Sequence, residues 1–149
     1  MEISKSIHRS IRRLYRGNQK YSMAQTVHPE LTPTEIQLLH HVGFHGEVSQ
    51  RHLAETLGVD KAMISRMLQR LEEKGYLIRK EDENDARSKK VVALPPALEV
   101  HVEEKGLSEQ FYDTITEEFS EEELAFLDRM LQKMADNGRA LNRAKEGKA

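Results

Sequence analysis

The sequence predicts a mainly α-helical fold with one small β-hairpin, and three observations predict it. Two short apolar stripes follow one another, Leu53, Ala54 and Leu57, then Ile64, Met67, Leu68 and Leu71. They keep the i, i+3, i+4, i+7 spacing of half-buried helices. Between them the turn chemistry is complete: Gly58 supplies the positive φ common just past a helix end, and Asp60 stands where an N-cap carboxylate accepts from orphan N–H groups. Beyond the second stripe, Gly75 closes the helix, and Leu77-Ile78-Arg79-Lys80 and Lys89 to Leu94 read as two strands. The stretch between them is polar apart from Ala86, with Asn84-Asp85 as turn formers.

Two helices crossing at about 90–120° over a 3–4-residue turn need a small side chain near the crossing, and Ala54 provides one. This is a helix-turn-helix; with a hairpin behind it, it becomes a winged helix. An ordinary helical hairpin is the alternative, but spacing and turn residues agree at seven positions and favour a binder of double-stranded DNA.

From the N-terminus, residues 1–25 read as one long helix with Ile3, Ile7, Ile11, Leu14 and Tyr21 on one stripe and Lys5, Arg9, Arg12, Arg13 and Arg16 around it. About 24 residues at 1.5 Å each give ~36 Å, too long for a small domain to bury alone, so the stripe is expected on a partner; a surface helix on its own domain is the alternative. Thr32-Pro33-Thr34-Glu35 is a capping box with proline in the first turn, and its helix runs through Ile36, Leu38, Leu39 and Val42 to Gly43–Gly46. Val48 is expected in a short strand beside the hairpin. Pro95-Pro96 ends the hairpin, and a fifth helix is expected from Ala97 to Phe119 with Leu98, Val102, Leu107, Phe111 and Ile115 as its apolar side. Gly106 lies within it, at a cost of about 1 kcal/mol relative to alanine. Ser120-Glu121-Glu122-Glu123 caps a sixth helix carrying Leu124, Leu127, Met130, Leu131 and Met134; Gly138 is read as near its end and Asn142–Ala149 as a frayed tail.

The 149 residues suit one domain. With no cysteine there is no disulfide or thiolate metal site, and no apolar run approaches the roughly 20 residues that span a bilayer. The formal net charge of −2 looks unsuited to nucleic acid, yet it is segregated. Residues 1–20 hold six basic side chains and one acidic, residues 51–90 ten and eight, and residues 99–136 three and twelve. A whole-chain balance therefore says little about the face that docks. The Arg-rich start resembles a transit peptide in composition, although an amphipathic first helix accounts for it better.

On the second helix of the pair the apolar residues face inward, so Lys61, Ala62, Ser65, Arg66, Gln69 and Arg70 face outward. Arginine addresses guanine O6/N7, glutamine adenine N6/N7, and serine and lysine hold phosphates. Spacing does not decide which of the set reach bases; Arg66 and Gln69 are the favoured pair. Ser49 and Gln50, opening the preceding helix, are phosphate candidates. Arg87 at the hairpin tip suits an A·T-rich minor groove, where negative potential is strongest, with Lys89 and Lys90 adding phosphate contacts. Against this, Glu81, Asp82 and Glu83 repel DNA unless they point away.

The stretch Leu53 to Leu94 resembles the DNA-binding core of the MarR family of bacterial transcription regulators, most specifically in LEEKGYLIR and in the wing segment Asp85-Ala86-Arg87-Ser88. Where such proteins usually run into Leu-Thr-x-x-Gly, this chain has Leu94-Pro95-Pro96-Ala97. The resemblance implies a winged helix-turn-helix plus a helical dimerisation layer: one domain over 1–149, with a DNA-binding core at 30–95 and dimerisation regions at 1–29 and 96–149. It implies a cytoplasmic homodimer on a palindromic operator, most simply a repressor relieved by a small aromatic or lipophilic effector, with Asp85 orienting Arg87 or a nearby helix arginine. The cysteine-based peroxide-sensing branch of the family is excluded. Tyr15, Arg16 and His41, with Tyr21 and Tyr112, lie near the junction where members bind effectors, though ordinary packing explains each. His40, His41, His45 and His101 raise metal sensing, but Gly43 and Gly46 bracket His45, and no metal or cofactor is expected. No phosphate loop, metal-hydrolase pattern or nucleophile with base is present, so the chain is read as no enzyme. A winged-helix module that binds protein instead of DNA is the competing reading.

Overall fold

A computed structural model of the chain describes residues 1–147. The elements run α1 (Glu2–Ala24), α2 (Pro33–His45), β1 (Glu47–Ser49), α3 (Gln50–Leu57), α4 (Lys61–Glu73), β2 (Leu77–Glu81), β3 (Lys89–Ala93), α5 (Pro95–Ile115) and α6 (Glu121–Glu146). By internal packing the chain divides into two units, residues 1–111 and residues 112–149. The fold is mainly helical with one three-stranded antiparallel sheet, as the sequence predicts.

In the first unit, as far as the wing, the predicted boundaries hold to within a residue or two. Thr32 Oγ1 accepts the Glu35 N–H while Glu35 Oε2 accepts the Thr32 N–H, completing the capping box of α2. Ser49 caps α3 and Asp60 caps α4 through their side-chain oxygens. Gly58 and Gly75, just past α3 and α4, take φ of +66° and +82°, a region closed to most L-residues. β3 lies between β1 and β2, with Val48 opposite Val91 and Arg79 opposite Val91 on the other side. Apolar residues from α2, α3, α4, β2, β3 and the start of α5 close the core: Leu38, Leu39, Val42, Leu53, Leu68, Leu71, Leu77 and Val91 are wholly buried.

Three expectations about the last helices are corrected. Helix α5 begins at Pro95, since prolines at a helix start lack only N–H groups that would be orphaned anyway, and the Leu94 carbonyl accepts from Ala97 and Leu98. It ends at Ile115 and not Phe119, where the Thr116 hydroxyl donates to the Tyr112 carbonyl and residues 116–119 turn. Its inward residues are Ala97 and Val100, whereas Leu98 and Val102 are exposed. The cause is Gly43, where an added Cβ would stand 2.5 Å from His101 Cβ and 3.1 Å from the Ala97 carbonyl. This close approach sets which face of α5 meets α2.

In the second unit α6 continues through Gly138 to Glu146, so Asn142 to Glu146 is helix and no frayed tail. One glycine costs about 1 kcal/mol, and the alanines and long side chains around it, with the Asp136–Arg139 ion pair, carry the helix across. Lys148 and Ala149 of that tail lie outside the described residues.

Candidate nucleic-acid interface

Helix α4 is held from behind. Ile64, Met67, Leu68 and Leu71 are buried in the core, and the Asp60 carboxylate accepts the Met63 N–H at 2.7 Å. Lys61, Ala62, Arg66, Gln69 and Arg70 are consequently exposed and Ser65 half-buried. Between the start of α4, helix α3 and the wing lies a cleft of about 860 Å³. It is lined by Gln50, Lys61, Ser65, Asp85, Arg87 and Lys89 of the predicted set, and by Arg51, Arg79 and Ser88, which the sequence reading missed. Strand alternation could have found Arg79, since it shares a face with Leu77 two residues earlier.

The carboxylates near this face sort its cations into two groups. Arg51 pairs with Glu55 at 3.2 Å, Arg70 with Glu35 at 3.1 Å, Arg79 with Glu72 at 3.3 Å, Lys80 with Glu47 at 2.7 Å and Lys90 with Glu47 at 4.0 Å. Lys74 Nζ donates to the Glu30 carbonyl. Among the described residues Lys61, Arg66, Arg87 and Lys89 have neither a carboxylate nor a carbonyl partner. The Lys80 hydrogen bond, despite a small opposing effect of desolvation, holds Glu47 below the usual carboxylate range, and Lys80 rises in turn. Lys90, expected on a phosphate, is thus already engaged.

The wing tip is built from two side-chain turns of the kind aspartate favours. Asp82 Oδ1 accepts the Asn84 N–H and Asp85 Oδ1 accepts the Arg87 N–H, each at 3.0 Å. Asp85 therefore meets the Arg87 backbone where a guanidinium contact was expected. Asp82 is buried within the wing while Glu81 and Glu83 are exposed, so the repulsion expected of three wing acids is left to two.

Elsewhere the predicted residues are more dispersed. Ser49 Oγ accepts the His52 N–H as the α3 cap, and Gln50 Oε1 is buried without a protein partner. Gln69 donates to Glu73. The Tyr15 hydroxyl receives Gln19 and Gln37 at 3.1 Å each, joining α1 to α2, and Arg16 is exposed. His41 instead faces His45 and His52, ring centroids 4.5 and 5.6 Å away. Two smaller hollows, of about 270 and 110 Å³, are lined by neither Tyr15, Arg16 nor His41. Among the described residues no group of three or more histidines or carboxylates is spaced to hold a metal ion, and no helix is long and apolar enough to cross a membrane.

Comparison with known proteins agrees with this architecture. Residues 30–88 match the MarR family. An uncharacterized HTH-type transcriptional regulator of Bacillus subtilis, YcgE, is 30% identical over 108 residues, which span 71% of this chain and 69% of that protein. Related regulators of Bacillus cereus are 40% identical over 53 residues, only 36% of either chain. Among solved structures, a MarR transcriptional regulator from Methanosarcina mazei superposes with a TM-score of 0.77 at 23% identity, covering 92% of this chain and 99% of its own. Apo MarR from E. coli gives 0.68 at 22% identity over 85% and 94%; at such identities these two speak for the fold. Relatives of this kind are regulators and not enzymes, in line with the lack of a catalytic pattern in the sequence. The winged segment, the B. subtilis relative and the shared fold converge, and the chain belongs to the MarR family of helix-turn-helix transcription regulators.

Proposed function

We propose that the protein is a homodimeric, sequence-specific repressor that reads a palindromic operator with α4 and the wing, and that a small aromatic or lipophilic effector relieves it. One observation carries the DNA-binding part: of the ten cations between residues 51 and 90, those held by neither a carboxylate nor a backbone carbonyl are Lys61, Arg66, Arg87 and Lys89, on the two elements that would enter the grooves. Lys61 and Ser65 suit phosphates, Arg66 and Gln69 base edges in the major groove, and Arg87 the minor groove. Ala62 is small enough to let the α4 backbone approach, and Ser49 and Gln50 lie at the helix start where phosphates bind. The cleft between α4 and the wing is open to a sugar-phosphate strand.

The exposed stripe of α1, Ile3, Ile7, Ile11 and Leu14, supports pairing with a second copy. Two-fold symmetry then sets the α4 helices about 34–36 Å apart, one duplex turn. An effector that favours a dimer of different spacing lowers operator affinity by its differential affinity for the two states. Such a protein works in the cytoplasm.

Fluorescence anisotropy with the promoter region of the protein's own gene tests this. A dimer that neutralises about 6–10 phosphates is expected to lose roughly 10³–10⁵ in affinity between 50 and 200 mM salt. Arg87→Ala lowers it at least about tenfold, as loss of a groove contact does. A salt-insensitive complex, or full affinity in Arg87→Ala, would contradict the reading.

A further inference from the structure

Arg66 and Arg70 stand one turn apart on the exposed side of α4, and their surroundings differ. Arg66 has no carboxylate neighbour. Arg70 places Nε and Nη2 each 3.1 Å from Glu35 Oε1, while Glu35 Oε2 is taken by the Thr32 N–H at 2.9 Å. Both oxygens of this carboxylate are therefore used, and the residue is only 1% exposed. Glu35 is itself immobile: it belongs to the capping box of α2, whose Ile36, Leu38, Leu39 and Val42 are sunk in the core.

An ion pair with one partner half in solvent contributes little net stability, and here Glu35 is buried while the Arg70 side chain is 52% exposed. Two guanidinium nitrogens held on one fixed carboxylate oxygen do set the orientation of the arginine. Arg70 is the tenth residue of α4, and its guanidinium is turned to Glu35 on α2. A site must hold its contacting groups within about 0.5 Å to read them.

We propose that Glu35 and Arg70 form a clamp that sets the pitch of α4 against α2, so that Arg70 is a positioning residue for DNA reading and touches neither phosphate nor base. The proposal rests on the DNA-binding reading above. It removes Arg70 from the outward set expected to contact DNA, and it adds Glu35, which lies in no groove.

Salt titrations of binding to promoter DNA and to an unrelated duplex distinguish the roles. Each phosphate contact contributes about 0.9 to the slope of log affinity against log salt. Arg70→Ala is expected to lower promoter affinity about tenfold, the worth of one base contact, with the slope unchanged and binding to the unrelated duplex retained. Glu35→Gln keeps the capping box, which accepts glutamine, but frees Arg70; the slope then steepens by about 0.9 per protomer. That increment disappears in the Glu35→Gln, Arg70→Ala double variant. A loss of packing alone would not move the slope. Should Glu35→Gln not fold, Arg70→Met gives the same slope reading as Arg70→Ala. A slope shallower by about 0.9 per protomer in Arg70→Ala, or unchanged promoter affinity there, overturns the clamp and leaves DNA binding intact. A wild-type chain that retains no DNA overturns the DNA-binding reading and the clamp with it.

Discussion

The winged-helix segment and helix α1 carry apolar stripes of similar spacing, yet only the segment finds cover within the chain. Every buried hydrophobic side chain among the described residues lies between Leu31 and Val100. Along α1 the only buried residue is Ser22, and Ile7, Ile11 and Leu14 remain about two-fifths exposed. Helix α6 has the same character, with Phe126, Leu131 and Leu141 exposed. The difference teaches that amphipathic periodicity reports a demand for a partner and does not say whose surface meets it. In residues 31–100 the demand is met locally by crossing helices and a small sheet. A helix with only one buried residue has to look outside the chain or stay wet.

Substitutions can break that contrast. Leu39 is wholly buried, so Leu39→Ala is expected to cost about 2–5 kcal/mol through lost transfer energy and a residual cavity, measured as a fall in the urea midpoint. Ile11→Ala, in protein dilute enough to be a single chain, should stay within about 0.5 kcal/mol, as exposed substitutions do. A loss at Ile11 equal to that at Leu39 would erase the distinction. With the dimer proposed here, Ile7→Asp with Ile11→Asp should raise its dissociation constant by about a hundredfold or more, since four partly buried isoleucines are exchanged for charges. Sedimentation equilibrium reads this directly, and unaltered association would remove α1 from the interface.

Gly43 tests the covered region at its tightest point. The Cβ introduced by Gly43→Ala would come 2.5 Å from His101 Cβ, a backbone-proximal atom that cannot swing aside. Overpacking of this kind costs roughly 1–3 kcal/mol. Thermal unfolding unchanged by the substitution would show that α5 can slide along α2 freely.

Much of the covered region was legible in sequence because its signals are local. Thr32 with Glu35, Asp60, Gly58 and Gly75 each act on backbone within a few residues, and each does what its chemistry predicts, whereas Ser49, expected on a phosphate, caps α3. The face at the start of α5 is set by Gly43, more than fifty residues earlier, so no local signal gives it, whereas Leu107 and Phe111 of the expected side are half-buried. Gly138 was misread as a stop because a local cost was weighed without the helix on both sides. The outward set on α4 was legible from periodicity, whereas the pairing of Arg70, Lys80 and Lys90 depends on carboxylates from α2 and β1 that no spacing rule brings together. Arg70 with Glu35 is the clearest instance. Asp85 was identified as an orienting residue, but its contact with backbone in place of a guanidinium follows from turn geometry at the wing tip.

The smallest expected effect is a pH dependence confined to the covered region. His40 and His101 bring their Nδ1 atoms within 3.1 Å, and His41 faces His45 and His52. Burial, followed by the charge on His101, holds His40 below the usual histidine range; burial, followed by His45, His52 and His40, does the same to His41. Both rings thus take up protons more readily when unfolded, and stability rises with pH wherever the unfolded chain binds more protons. Their contribution is complete above the unfolded value of about 6.5 and is lost as pH falls through the folded values. Glu104 acts with the opposite sign. Burial raises its carboxyl, so its contribution is present at the acid end and lost as pH rises through its folded value. Urea midpoints in a Glu104→Gln background should therefore drop by a few tenths of a molar between pH 7.5 and 5.5, given slopes of about 1–3 kcal/mol/M. Adding His40→Gln and His41→Gln should flatten the profile. A decline that survives both, or one that vanishes with Ile7→Asp and Ile11→Asp, would move the acid sensitivity from the buried joint of α2 and α5 to the exposed stripe of α1.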